Sequence, residues 1–182
     1  MLTATEWYHE ARESPSDIVE HLDTFVALVE ELDARNVIEL GVRSGNSTAA
    51  WLHALEGRGG HLWSVDIVSP TRWVGVFPHW TFLLGDDISL DVLDRLPPIV
   101  DIVFIDTSHE YAHTLAELIE YVPRVRSGGR VVLHDTEVEA PDNVGGAVPF
   151  PVKKAIRDYC DPLGLDWTND ERCFGLGVIT IP

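Results

Sequence analysis

The sequence has 182 residues, is 45% hydrophobic and carries 13 basic against 30 acidic side chains, a formal net charge of −17. A chain of this length and apolar content buries one core but is too short for two domains and a linker. We therefore expect a single domain over residues 1–182, with a helical region over 1–35 and an α/β core over 36–182. The negative charge argues against a partner that is a nucleic acid or an anionic membrane surface.

The chain start, MLTATEWYHEARESPSD, lacks the basic stretch and apolar core of a secretion signal, and no apolar run is long enough to span a bilayer. Cys160 and Cys173 have neither CxxC spacing nor the density of a disulfide-rich protein. We therefore expect a cytoplasmic protein with reduced cysteines.

The first predicted element is an amphipathic helix from Asp17 to Leu32, with Ser16 or Asp17 as its cap. Residues 36–67 follow as strand, glycine-bearing turn, helix and strand, which is a βαβ unit. Further strands are predicted in WTFLLG, IVDIVFID and GGRVVLHD, separated by helices in DISLDVLDRL and EYAHTLAELIEYVPRV. Alternating helices and apolar strands predict a mostly parallel sheet covered on both faces.

The last third of the chain predicts a helix around residues 152–159, then two strands in LDWTND and CFGLGVITIP that form a hairpin at the sheet edge. Prolines and a Gly-Gly pair make residues 136–151 the one long irregular segment, and hence a candidate active-site loop.

Acidic residues and histidines follow the predicted strands. Because ligands of an open parallel sheet bind beyond the carboxyl ends of its strands, these side chains are the first candidates for a site. A single carboxylate of this kind is often a helix cap, but five strands each carry such a group. The residues in question are Glu39, Asp66, Asp86, Asp87, Asp106, His109, His134 and Asp135.

The turn after the first strand runs from Glu39 to Ser47 and has the form Gly-x-x-x-Gly, with Gly41 and Gly45. Dinucleotide-binding turns need a glycine where Arg43 stands, so that backbone approaches a pyrophosphate. A cofactor without phosphates has no such need, and its ammonium group would suit Glu39. Asp66 lies 66 − 41 = 25 residues after Gly41, close to the roughly 20-residue offset of acids that bind ribose. The turn thus predicts an adenosine ligand without phosphates.

The segments ViELGvrsGnS, sVDI, GDD, vDIVFIDtsHeYahtlaEL, RsGGrvvLHDT and GLGV resemble class I methyltransferases that use S-adenosylmethionine (SAM). The resemblance is greatest to the group of macrocin-type O-methyltransferases and cephalosporin-hydroxylase-like proteins. It implies a Rossmann-like fold with a seven-stranded sheet and O-methylation of a small-molecule acceptor, such as a sugar or secondary-metabolite hydroxyl. The residues it implies for cofactor binding are Glu39, Gly41, Gly45 and Ser47 at the methionine end, Asp66 and Ile67 at the ribose, Asp86 at the adenine, and Asp106 between cofactor and acceptor.

The resemblance also implies a divalent cation, held in the metal-dependent members by an acid after strand four and an acidic pair after strand five. Here the pair is His134 and Asp135, so histidine replaces one acid. Adjacent strands lie about 4.8 Å apart, so Asp106 and Asp135 can share one ion. Oxygen ligands favour Mg²⁺, and His134 shifts the preference toward Mn²⁺. His109, three residues after Asp106, is the expected general base, with Asp106 as the second catalytic residue.

Two other functions stay open. His109-Glu110-x-x-His113 matches the His-Glu-x-x-His motif of zinc hydrolases, although Ile119 stands where the extended motif needs a third histidine. Because His134 replaces one acid of the metal-binding pair, the second alternative is a protein that binds SAM but does not transfer its methyl group. In addition, Trp73, Phe77 and Trp80 are predicted either to wall an apolar acceptor or to pack against a partner subunit in a homo-oligomer.

Overall fold

The computed structural model describes residues 2–70, 77–139 and 149–182. Seven strands form one sheet in the order β3-β2-β1-β4-β5-β7-β6. The strands are β1 (Asn36–Leu40), β2 (His61–Asp66), β3 (Trp80–Leu84), β4 (Val100–Ile105), β5 (Val125–His134), β6 (Trp167–Asp170) and β7 (Leu176–Thr180). The helices are α1 (Ala4–Glu13), α2 (Leu22–Glu31), α3 (Asn46–Leu55), α4 (Leu90–Leu93), α5 (Tyr111–Tyr121) and α6 (Pro151–Leu163).

The pairs among β1 to β5 are all parallel, whereas β7 runs antiparallel to both β5 and β6. The predicted Rossmann-like class, with a mostly parallel seven-stranded sheet and a C-terminal antiparallel hairpin, is therefore confirmed. All six residues of β4 are buried, which explains why its sequence is apolar at every position except Asp101. The strand order reverses between β1 and β4, and the carboxyl ends of these two strands open the crevice where ligands of such sheets bind.

Two apolar layers cover the sheet. Helices α1, α2 and α3 supply one, in which Phe25 stacks on Trp51 with ring centroids 4.5 Å apart. Helices α4, α5 and α6 supply the other, which includes Leu118, Tyr121 and Ile156. None of the helices in the described ranges is long and apolar enough to cross a lipid bilayer.

The N-terminal region differs from the prediction. The helix expected from Asp17 begins only at Leu22, because Val19–His21 forms a separate 3₁₀ turn, and neither Ser16 nor Asp17 caps α2. Helix α1 was not predicted, although its start carries a capping box in which Thr3 and Glu6 bond each other's backbone N–H. This Thr-x-x-Glu pattern, followed by Trp7, Tyr8 and Ala11 on the buried face, is the signal that would have found it.

Candidate active site

A cleft of about 580 Å³ lies at the carboxyl ends of β1, β2 and β4. Segments 41–43, 65–69, 85–87 and 106–109 form most of its lining, together with Asp17, His113 and Asp135. Six of the lining residues are aspartates, and Arg43 is the one lysine or arginine among the lining positions that the structure describes. The cleft is thus suited to a cation rather than to a phosphate.

Gly41 brings the turn after β1 into direct contact with the end of β4. Its φ is +88°, and a Cβ at this position would lie 1.9 Å from the carbonyl oxygen of Asp106. The Gly41 N–H donates to the Val65 carbonyl at 2.9 Å, and the Asp106 N–H donates to the Leu40 carbonyl at 2.8 Å. Only glycine fits such a close approach of two backbones, so Gly41 fixes the floor of the cleft.

Glu39 lies behind this floor and is fully buried. Its carboxylate accepts hydrogen bonds from Ser47 Oγ at 2.7 Å, Thr48 Oγ1 at 2.8 Å and Ser64 Oγ at 2.6 Å. Burial raises the pKa of Glu39 to about 7. Gly45, where α3 begins, packs against the indole of Trp7 from α1. Of the predicted cofactor residues, Glu39, Gly45 and Ser47 therefore lie outside the cleft lining and support the turn from behind.

The other predicted cofactor residues, Gly41, Asp66, Ile67, Asp86 and Asp106, line the cleft. Asp66 accepts hydrogen bonds from the N–H groups of Val42 at 2.8 Å and Arg43 at 3.0 Å through Oδ2, and from Val68 at 2.8 Å through Oδ1. It thereby ties the glycine turn to the end of β2. Ile67 is 75% exposed and offers an apolar wall beside it.

Four side chains meet where β4 and β5 end: Asp106, His109, His134 and Asp135, which we call the strand-end cluster. His109 Nε2 lies 3.3 Å from Asp106 Oδ1 and 2.8 Å from Asp135 Oδ2. His134 Nδ1 lies 3.5 Å from the same Asp106 oxygen and 3.3 Å from the same Asp135 oxygen. His109 and Asp135 have positive φ values of 55° and 60°, and strained backbone of this kind is concentrated at functional sites.

Burial lowers the pKa of His109, but hydrogen bonds to Asp106 and Asp135 outweigh this and raise it to about 9. For His134, the charges of the nearby Asp106 and Asp135 likewise outweigh burial and raise the pKa to about 10. Burial raises the pKa of Asp135, but the two histidines outweigh this effect and hold it well below its usual range. When no metal ion is bound, both histidines of the strand-end cluster are therefore protonated at neutral pH, and their two positive charges balance the two carboxylates.

A family model described as a methyltransferase domain matches residues 38–136, more than half of the chain. The chain belongs to this methyltransferase family. The matched range contains the glycine turn, Asp66, Asp86 and all four residues of the strand-end cluster. The methyltransferase class predicted from the sequence is therefore confirmed. No curated protein sequence matches the chain.

Solved structures show the same fold at low sequence identity. PaMTH1, an SAH-bound methyltransferase of Podospora anserina, is 14% identical with a TM-score of 0.67, over 100% of this chain and 89% of that chain. The O-methyltransferase TomG of Streptomyces achromogenes, in complex with SAM, is 16% identical with a TM-score of 0.65, over 98% and 88%. MycE methyltransferase of the mycinamycin pathway, in complex with Mg and SAH, is 20% identical with a TM-score of 0.65, over 90% and 49%.

The strand-end cluster of this methyltransferase has donors that fit a divalent cation. His134 Nε2 lies 3.1 Å from the Asp17 carbonyl and 3.0 Å from the Cys173 carbonyl, and carbonyls only accept, so Nε2 carries a proton. Nδ1 is then the atom that faces the carboxylates, and it is buried without a hydrogen-bond partner among the described residues. Ligand atoms of Asp106, His134 and Asp135 all lie within 4.8 Å of one another. One divalent cation in place of the two protons would leave the net charge of the cluster unchanged.

The His-Glu-x-x-His motif does not form a zinc-hydrolase site. Glu110 is the N-cap of α5, so His109 precedes the helix and His113 lies within it. His109 contacts Asp106 and Asp135, whereas His113 Nε2 lies 3.1 Å from Asp87 Oδ1 and 3.6 Å from Glu117 Oε1. The two histidines therefore serve different carboxylates, and the hydrolase alternative lacks its geometry.

Phe77 and Trp80 pack within the chain rather than along the cleft. Each has its ring centroid 6.1 Å from that of Trp7 in α1, and neither lines the cleft. Trp73 lies outside the described residues, as does most of the predicted active-site loop, residues 140–148.

Two features of the site were not predicted from the sequence. Asp17 reaches the cleft and pairs with Arg43 at 2.6 Å, so the one arginine of the lining is neutralised. Asp87 and Glu117 gather around His113. The spacing of His113 and Glu117, four residues apart on one helix, was visible in the sequence, but nothing in the sequence places Asp87 or Asp17 beside their partners.

Proposed function

We propose that this methyltransferase transfers the methyl group of SAM to an oxygen of a small-molecule acceptor. The observation that carries the proposal is the aspartate-rich cleft at the switch point of the sheet, with the glycine turn as its floor. A positively charged cofactor without phosphates suits this lining, and the solved structures of PaMTH1, TomG and MycE contain SAM or its demethylated product SAH in the same fold. Of the cofactor residues expected from the sequence, Gly41, Asp66, Ile67, Asp86 and Asp106 are proposed to contact the cofactor, because they line the cleft. Glu39, Gly45 and Ser47 are proposed to act through the glycine turn, which they support from behind.

When bound, SAM supplies a methyl group on a sulfonium, so that the acceptor oxygen gains the methyl carbon and the S–CH₃ bond breaks to leave SAH. The acceptor hydroxyl must lose its proton, and His109 at the cleft is the proposed acceptor of that proton. Because Nε2 of this imidazole is held by Asp106 and Asp135, the nitrogen that takes the proton would be Nδ1. The protein's share in the rate is alignment of the reacting atoms and removal of the proton.

Because a general base must be unprotonated, the carboxylates that hold a proton on His109 have to be neutralised before it acts. Asp106, His134 and Asp135 would hold Mg²⁺ or Mn²⁺, and this ion would supply the positive charge that now comes from the two imidazolium groups. The presence of Mg in the MycE complex supports this assignment.

We further propose that residues 1–182 act as one domain in the cytoplasm, on a small-molecule acceptor rather than a nucleic acid, and that the protein forms a homo-oligomer. The net charge of −17 supports the choice of acceptor. Exposed apolar side chains such as Leu90 and Ile119 supply surface that association would bury. Light scattering of the purified protein measures the oligomeric state, and a monomeric mass would contradict that part.

The proposed activity is tested by SAH formation from SAM with panels of sugar hydroxyls and catechol-like phenols, with and without Mg²⁺ or Mn²⁺. We expect acceptor-dependent SAH formation that is lost in His109→Ala. SAM binding without SAH formation from any acceptor would instead identify a binding protein without turnover.

A further inference from the structure

A second cluster of titratable side chains lies on α5 and the loop after β3: Asp87, His113 and Glu117, which we call the helix cluster. His113 and Glu117 are one helical turn apart on α5. His113 Nε2 lies 3.1 Å from Asp87 Oδ1 and 3.6 Å from Glu117 Oε1. None of the three belongs to the strand-end cluster, and none is used in the proposed methyl transfer.

The helix cluster leaves buried ligand atoms without partners. Glu117 is fully buried, and no N–H or hydroxyl group among the described residues donates to its Oε2. The same holds for Asp87 Oδ1, because His113 Nε2 lies close to it but out of line for a hydrogen bond. Unpartnered buried carboxylate oxygens are costly. They are expected where an ion completes the site.

The charges of the helix cluster also favour a bound cation. Two carboxylates share one imidazole in a buried setting, so one negative charge is left without a counter-charge when both acids are ionised. A divalent cation would neutralise both carboxylates and leave His113 as a neutral ligand.

We propose that Asp87, His113 and Glu117 bind a divalent transition-metal ion such as Zn²⁺, Mn²⁺ or Co²⁺. Ligand atoms of the three residues all lie within 4.8 Å of one another, and two carboxylates with one imidazole match the preferences of these ions. Thr107 Oγ1 donates to Glu117 Oε1 at 2.7 Å, which orients the carboxylate as an outer-shell partner.

The open side of this metal site faces the cleft. Asp87 and His113 both line the cleft, and the side chain of His113 is 24% exposed, so an ion can enter from there. The bound ion would join the loop after β3 to α5 and so fix the position of Asp86, the predicted adenine residue. The role of the ion is to hold one wall of the cleft in place.

Chelator-washed full-length protein is titrated with Co²⁺, followed by visible absorption and calorimetry, with Zn²⁺ as competitor. Asp135→Asn serves as the background, because it disables the strand-end cluster and leaves the helix cluster intact. We expect this variant to keep one Co²⁺ site, and addition of His113→Gln or Glu117→Gln to weaken it by more than the roughly 10- to 100-fold that loss of an outer-shell partner costs. His53→Gln, on α3 and in contact with Thr5, is the matched control and should leave Co²⁺ binding unchanged.

Absence of Co²⁺ binding in the Asp135→Asn protein overturns the proposal, as does full affinity in both His113→Gln and Glu117→Gln. Circular dichroism reports whether each variant folds. Should both variants unfold, side-chain NMR of His113 in the Asp135→Asn protein decides, because bound Co²⁺ must shift or broaden its resonances. These outcomes do not depend on methyl transfer and are distinct from failure of the proposed function.

Discussion

The two halves of the cleft edge use their carboxylates differently. On the side of β1 and β2, Glu39 and Asp66 are bonded by hydroxyl and backbone N–H groups of their own neighbourhood. On the side of β4 and β5, Asp106 and Asp135 are paired with two imidazoles. Backbone N–H and hydroxyl groups do not ionise near neutral pH, whereas imidazoles gain and lose protons there. The first side therefore builds the wall of the cleft, and the second is where proton transfer and ion binding can occur.

The largest effect should come from His109. Replacing it by alanine removes the proton acceptor, so we expect turnover to fall by roughly 10²- to 10⁴-fold, with SAM affinity kept. SAH formation at saturating SAM gives the turnover, and calorimetry gives the affinity. His9→Ala, on the exposed surface of α1, is the matched control. Equal turnover in the His109 and His9 variants would contradict the assignment of proton transfer to the side of β4 and β5.

Gly41 tests the rigidity of the wall. Gly41→Ala places a Cβ 1.9 Å from the Asp106 carbonyl oxygen at a φ of +88°, and we expect a loss of about 4 kcal/mol in the free energy of unfolding from strain and overpacking. Gly57→Ala separates these causes, because Gly57 has a φ of +77° but nothing within 4 Å of its Cβ position. That control should lose only about 1 to 2 kcal/mol. Urea unfolding of both variants measures the difference, and equal losses would show that the close approach is not rigid.

Glu39 gives the wall a pH dependence. Burial raises its folded-state pKa from 4.5 to about 7, so the native state binds the extra proton between these values. Stability is full below the unfolded pKa and is lost as pH rises through the folded one, by about 3 kcal/mol in total. Relative to Glu39→Gln, the wild type should therefore lose this amount between pH 4.5 and 8 in urea unfolding.

The same substitution at Glu13, which is exposed at the end of α1, serves as the control for Glu39. A constant stability difference between wild type and Glu39→Gln across this pH range would show that burial does not raise the pKa of Glu39.

The smallest effect should come from Arg43, which stands where a dinucleotide-binding turn has glycine. Its guanidinium is 82% exposed and pairs with a half-exposed Asp17, and exposed pairs of this kind contribute about 0 to 1 kcal/mol. We expect Arg43→Ala to change the Kd for SAM by less than about 5-fold, measured by calorimetry. A larger loss would mean that Arg43 contacts the cofactor.

The sequence predicted the sheet, its hairpin and the strand-end residues because these features are local: apolar runs, spacing, and polar residues directly after strands. The contacts that decide which group each acidic side chain binds join residues that are far apart in the sequence. Glu39 and Asp66 were predicted to bind cofactor, and only the fold shows that Ser64 and the Val42 N–H already bond them. Trp7 on Gly45 and Asp87 beside His113 also join segments far apart in the chain, which no periodicity reveals.

The central claim is that the aspartate-lined cleft binds an adenosine cofactor that carries a positive charge and no phosphate. Isothermal titration calorimetry with SAM and with SAH, in the presence and absence of Mg²⁺ or Mn²⁺, tests it most directly. We expect one site per chain for both compounds, without a need for either ion, and weaker binding in Asp66→Asn. Absence of binding by both SAM and SAH under all of these conditions would contradict it.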